Sequence, residues 1–135
     1  MSKSIEEIEG IGPSHGAALR DAGIATVEQL LEEGATRSGR NAIVKSTSIA
    51  ETKVLKWVNH ADLFRISGIA GQFAELLEAA GVDTVKELRN RNAENLAAKM
   101  EEVNASKNLT RRCPSATVVS DWIEQAKKLS SKVSY

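Results

Sequence analysis

The chain has 135 residues, with 18 Lys plus Arg against 18 Asp plus Glu, so its formal net charge is zero. That length makes one domain or two very small ones, and the charge balance argues against a protein that wraps nucleic acid over its whole surface. Apolar residues at 41% and charged residues at 27% suit a folded chain, one Cys excludes an intrachain disulfide and a multi-Cys zinc site, and no apolar stretch reaches the roughly 20 residues of a membrane span. The opening run Met1-Ser2-Lys3-Ser4-Ile5-Glu6-Glu7 carries acid where a signal segment would be apolar, so the expected location is cytoplasmic.

In chain order, the first informative run is Ile8-Glu9-Gly10-Ile11-Gly12, followed by Pro13-Ser14-His15 and a stretch that predicts a helix over 14–22. Gly10 and Gly12 open backbone angles closed to other residues, and Ile11 between them is expected to point into the core. The helix that follows starts with free N–H groups and the positive end of a dipole, which suits a phosphate. Gly23 is expected to end it as a left-handed cap. Thr26 with Gln29 forms a capping-box pair for a helix over 26–33. Helices over 38–46 and 49–62 follow, the second opened by the pair Ser48 and Glu51 and carrying Trp57.

The remainder repeats this plan. At a constant offset of 58, Ile8, Gly10, Ile11, Leu19, Ala22, Gly23, Thr26, Val27 and Leu30 match Ile66, Gly68, Ile69, Leu77, Ala80, Gly81, Thr84, Val85 and Leu88. Helices are therefore expected over 71–80, 84–90 (with the capping pair Thr84 and Glu87), 92–105 and 115–130. Residues 54–61 match 119–126 at an offset of 65, so the second unit carries seven extra residues, assigned to Asn90–Arg112. Pro114 is expected in the first turn of the last helix, with Cys113 as its cap. Trp57 and Trp122 share one slot of the repeat. They are read as anchors of two small cores, each burial contributing about 2–3 kcal/mol. The expected architecture is all-α, in two tandem lobes, 1–63 and 64–135.

The Gly10-Ile11-Gly12 turn and its following helix resemble the hairpin of the helix-hairpin-helix superfamily, whose members use it to bind nucleic-acid backbone without reading sequence. The run from Gly10 to Leu30, the run from Trp57 to Leu63 and the run from Asp121 to Ala126 together look like an uncharacterised bacterial family of tandem helix-hairpin-helix domains of unknown function. The resemblance implies the fold over nearly the whole chain and leaves the role open. Two departures stand out. Pro13-Ser14-His15-Gly16 occupy places where phosphate-binding hairpins carry Lys or Arg, and the second hairpin reads Gly68-Ile69-Ala70-Gly71, with Ala for the second Gly.

Divided at Leu63, the first lobe has 7 basic and 9 acidic residues, a net of −2, and the second has 11 and 9, a net of +2. Basic residues gather at Arg89 and Arg91, at Lys107, Arg111 and Arg112, and at Lys127, Lys128 and Lys132, with a smaller group at Arg37, Arg40 and Lys45. Opposed lobes could also attract each other or a neighbouring molecule head to tail. The candidate nucleic-acid contacts are Gly10, Ile11, Gly12, Ser14 and His15 of the first hairpin, with Lys107, Arg111 and Arg112 supplying charge. No phosphate-cradling loop, nucleophile elbow or zinc motif occurs, so no enzyme, metal or cofactor is expected. The expected function is non-catalytic, sequence-independent binding of nucleic acid, DNA first. The alternative is a protein-interaction or oligomerisation domain that keeps the fold without phosphate binding. No membrane partner is expected.

Overall fold

A computed structural model describes residues 3–135; Met1 and Ser2, which belong to the run read for a signal segment, lie outside them. A 3-10 turn, Ile5–Glu7, precedes helices α1 (Gly12–Asp21), α2 (Val27–Gly34), α3 (Arg37–Thr47), α4 (Glu51–Leu63), α5 (Gly71–Ala79), α6 (Val85–Leu88), α7 (Ala93–Lys107) and α8 (Ala116–Lys127). The described residues hold no strand, only an isolated backbone bridge between Ser4 and Thr26. The eight helices of the described residues fall within about two residues of the expected starts and about three of the expected ends. Among the described residues, no helix is long and apolar enough to cross a membrane.

The chain divides into two units, one of the described residues up to Asp62 together with Lys132–Tyr135, the other Leu63–Ser131. The last four residues, counted by sequence in the second lobe, thus return to the first unit. With Lys132 moved, the first unit has 8 basic and 9 acidic residues and the second 10 and 9, so the charge contrast narrows to −1 and +1.

In the first unit, Ile5, Ile8, Ile11, Leu19, Val27, Leu30, Val54, Trp57 and Val58 form the buried core. In the second, Ile66, Ile69, Leu77, Val85, Leu88, Leu96, Met100, Val119, Trp122 and Ile123 do so, with α7 packed along α8. The same backbone devices recur in both. Gly23 (φ 88°) donates to the Arg20 carbonyl at 2.9 Å and Ile24 to Leu19 at 2.8 Å. Gly81 (φ 96°) donates to Glu78 at 3.0 Å and Val82 to Leu77 at 2.8 Å. Each set satisfies the last carbonyls of its helix and turns the chain sharply. Thr26 Oγ1 accepts from Gln29 N, while Gln29 Oε1 accepts from Thr26 N. In the second unit, Glu87 Oε1 accepts from both the N–H and the hydroxyl of Thr84.

Three terminal assignments change. Ser48 does not open α4; it closes α3 in the left-handed conformation, φ 61°, donating to Val44 O at 2.8 Å. The Ala50 carbonyl takes the first bonds of α4, from Lys53 and Val54. Neither Pro114 nor Cys113 holds the expected place on α8, because Ser115 caps it by accepting from Val118 N. A hydroxyl oxygen accepts better than a thiol, and Pro114 lies buried one residue before the cap. Cys113, half-buried, turns its Sγ toward the Met100 carbonyl at 3.7 Å. The extra length of the second unit lies in α7, 15 residues against 11 in α3, and in the connector 108–115.

Candidate functional site

The first hairpin needs glycine at two positions. Gly10 has φ 91° and Gly12 has φ 64°, both exposed, while Ile11 between them is 2% exposed and locks the turn to the core. A side chain in that left-handed region costs roughly 1–2 kcal/mol. The cap residue of α1, Ile11, offers no side-chain acceptor, and Pro13 removes one N–H from the first turn. The amides of Gly12 and Ser14 stand at this uncapped end. The His15 ring lies on Trp57 with centroids 5.1 Å apart, tilted by 54°. The Glu6 side chain runs along α1, its Cγ 2.9 Å from where a Cβ on Gly16 would stand, and its carboxylate pairs with Arg20. The carboxylate thus lies against the middle of α1 at Gly16, and the guanidinium of the helix's last turn is committed to it.

The second hairpin repeats this frame with different surroundings. Gly68 has φ 100° and Ile69 is buried. Ala70 is extended, φ −123°, ψ −173°, a conformation open to any residue, so the missing second glycine is not a missing turn. Ala70 provides no side-chain cap, so the first N–H groups of α5 have no side-chain acceptor. Phe73, in the place of His15, lies on Trp122 at 5.4 Å with the same 54° tilt. Gln125 of α8 clamps the turn: its Oε1 accepts from Ser67 N at 2.9 Å and its Nε2 donates to Ser67 O at 3.1 Å.

Beside this hairpin opens a cavity of about 820 Å³ whose walls include Gln72 from the first turn of α5, Glu101 and Asn104 from α7, Arg111, Cys113 and Ser115. The loop carrying Arg111 is built rather than slack. Asn104 Nδ2 donates to Thr110 O and Thr110 N donates to Asn104 Oδ1, both at 2.9 Å, and Thr110 Oγ1 donates to Arg112 O at 3.1 Å. Asn108, φ 54°, ends α7 and turns the chain into the loop. Lys107, at the negative end of the α7 dipole, and Arg111 and Arg112 on the loop are all exposed.

The residues singled out by sequence therefore fall in two places. Gly10, Ile11, Gly12, Ser14 and His15 belong to the first unit, Ile11 by its backbone alone. Lys107, Arg111 and Arg112 belong to the second, where Arg111 shares a cavity with the start of α5. Other basic residues serve the fold. Arg40, 5% exposed, donates to the carbonyls of Gly34 (2.9 Å), Ala35 (3.2 Å) and Ser134 (2.6 Å), and Arg89 donates to Leu129 O at 2.9 Å. Sequence reasoning set Gln72 aside because it is uncharged; its signal is its place in the first turn after a hairpin glycine. Among the described residues, no three His, Cys, Asp or Glu side chains come together as a metal site would require.

The model of the family described as Domain of unknown function (DUF4332) matches residues 9–129, and the chain belongs to that family. The matched span runs from the residue before Gly10 to the end of the Trp122 helix region and takes in both hairpins. No curated protein and no solved structure matches the chain.

Proposed function

We propose that this DUF4332 chain is a non-catalytic, sequence-independent binder of nucleic-acid backbone, DNA first, built as two tandem helix-hairpin-helix lobes and acting in the cytoplasm. One observation carries the reading. Gln72 of the uncapped first turn of α5 and the Arg111 side chain line the same cavity, which Glu101 also lines, with Arg112 next to it on an exposed loop and Lys107 in the last turn of α7. Free amides at a helix start and a guanidinium offer the donors that phosphate oxygens accept from. The repeated glycine turns support the lobe assignment, because each unit closes its hairpin on a positive-φ glycine next to a buried Trp. On this reading the second hairpin leads, and the first, with Glu6 along α1 and Arg20 committed to it, contributes less.

A titration of labelled double- and single-stranded DNA, followed by anisotropy, tests the proposal. Nonspecific binding should lie in the micromolar range. Neutralising ~2–4 phosphates should weaken affinity roughly 10- to 100-fold between about 50 and 200 mM salt. The Arg111→Glu, Arg112→Glu double variant should lose most of the affinity. Exposed substitutions of this kind usually change stability by no more than about 0.5 kcal/mol, so the loss would report on contact rather than folding. The zero net charge and the carboxylate beside α1 favour the second reading, a protein-interaction domain on the same fold. Absence of binding to DNA and RNA at low salt would decide for it.

A further inference from the structure

After α8 the chain runs without helix from Leu129 to Tyr135, and no residue from Lys127 onward is buried. Lys132–Tyr135 nevertheless belong to the first unit. Ser134 is gripped on both sides of its main chain. Its N–H donates to Ala35 O at 2.8 Å, its hydroxyl to the same oxygen at 3.3 Å, and its carbonyl accepts from Arg40 Nη2 at 2.6 Å. The Tyr135 ring faces that guanidinium at 5.9 Å, and its hydroxyl donates to Asn59 Oδ1 at 3.3 Å. Ser134 and Tyr135 are exposed, while Arg40 and Asn59, which they touch, are buried. The end of α2 explains the placement. Helix ends leave carbonyls that need donors. α1 closes on the N–H of Gly23, and α6 on those of Asn90 and Arg91, all local. Ala35, at φ −61° and ψ −32°, ends α2 without such a turn, and its carbonyl takes its donors from Arg40 and from Ser134, 99 positions on.

We infer that Lys132–Tyr135 is a releasable strap, seated in a site of the first unit that reads peptide main chain: Ala35 O takes the N–H, and Arg40 Nη2 the C=O, of one residue. The pairing is that of a strand edge, with a guanidinium in place of one backbone donor. It tolerates many side chains at the paired residue and prefers an aromatic one directly after it, where the ring meets the guanidinium. Residues 134 and 135 supply both. Opening stops at Ser131, because Arg89 and Arg65 hold the carbonyls of Leu129 and Ser130. A few hydrogen bonds and no buried apolar side chain stand against the entropy of four ordered residues. That balance leaves the strap open roughly 1–10% of the time, a minor state that a competing segment can capture. Nothing in this site depends on phosphate binding.

Hydrogen exchange on the wild-type chain should find the Ser134 amide protected about 10- to 100-fold, and the core amide of Leu30 at least about 1,000-fold. Ser134→Pro removes the N–H and leaves the strap open, and circular dichroism should find its helices retained. Phenylglyoxal, which modifies accessible guanidinium groups, then reports on Arg40 by peptide mass mapping. Arg40 should react about 10- to 100-fold faster in Ser134→Pro than in wild type, the inverse of the open fraction. Exposed Arg37 should react equally in both. Tyr135→Ala, which keeps the main-chain grip, should raise the Arg40 rate only about two- to tenfold. With an effective concentration on the order of 1 mM for a short tether, this occupancy corresponds to a Kd of roughly 10–100 µM for the free segment. An acetylated peptide with the sequence of residues 130–135, at about 1 mM, should therefore protect Arg40 again in Ser134→Pro. The same peptide with Pro in place of Ser134 should not. A Ser134 amide as protected as Leu30 would make the segment part of the cooperative fold, and an unprotected one would leave no closed state; either overturns the strap. An Arg40 rate unchanged by Ser134→Pro, or unmoved by the peptide, would overturn the site that it covers.

Discussion

Replacing Gly68 by Ala separates the two demands on a hairpin glycine, and the neighbouring glycines supply the controls. Ala at φ 100° pays the left-handed penalty of roughly 1–2 kcal/mol. Its Cβ would also stand 3.0 Å from Trp122 Nε1, closer than ordinary contact, and the ring it presses on is packed in the core. Overpacking of that kind adds about 1–3 kcal/mol, so Gly68→Ala should cost about 2–5 kcal/mol. At Gly10 the nearest atom, Trp57 Nε1, is 3.8 Å away, leaving only the backbone penalty. At Gly12, φ 64°, nothing lies within 4 Å, so the cost is again the backbone alone, and Asn, which tolerates this region, should restore part of it. Thermal unfolding followed by far-ultraviolet circular dichroism reads the order, with Gly68→Ala lowering the midpoint by roughly 8 °C or more. Equal losses at residues 68 and 10, or a larger loss at residue 12, would refute the argument that the indole edge fills the space under Gly68.

Arg40→Ala should destabilise the first unit by about 2–4 kcal/mol, because it takes the donor from the Gly34 and Ser134 carbonyls and the cation from the Tyr135 ring, while Ala35 O keeps its bonds from Ser134; Arg40→Lys should not restore it, lacking the fork, and urea unfolding measures both. Thr26→Ala should cost about 1 kcal/mol by the same measurement, through loss of the N-cap acceptor for Gln29 N. Cys113→Ala should lower stability by less than about 1.5 kcal/mol in thermal unfolding, the thiol making one long contact to a carbonyl at 3.7 Å.

The fold was legible because its signals are local and come twice. An offset of 58 that preserves Gly10, Gly23 and the apolar positions between them cannot be random, and each of those glycines takes a positive φ in both units. Capping pairs are equally local, and Thr26 with Gln29 forms as read. Ser48 misled because two helices compete for it. Serine three residues before Glu51 fits an N-cap, but the end of α3 claims it first as a left-handed C-cap. The return of the tail left no local mark, since it depends on contacts between residues 94 and 99 positions apart, from Arg40 to Ser134 and from Ala35 to Ser134. A trace does exist at Arg40, which lies three residues before the buried Ile43 and so on the inner face of α3. A charged residue there needs partners that composition cannot name.

The site was harder to read because charge was counted by residue rather than by task. Arg40, Arg65 and Arg89 look like free cations in the sequence, yet each donates to a carbonyl in the segment after α8, at Ser134, Ser130 and Leu129. These three shape the end of the chain. Arg111 and Arg112 differ because their loop gets its form elsewhere, from Asn104 and Thr110, which leaves both guanidinium groups at the surface. Lys107 joins them from the last turn of α7. With three such cations, the slope of log affinity against log salt should be no steeper than about −3, at roughly −0.9 per phosphate neutralised. A slope near −6 would require as many cations again, from other exposed groups such as Lys127, Lys128 and Lys132. A shallow slope that survives Arg111→Glu and Arg112→Glu would instead leave the amides of the hairpins as the binding surface.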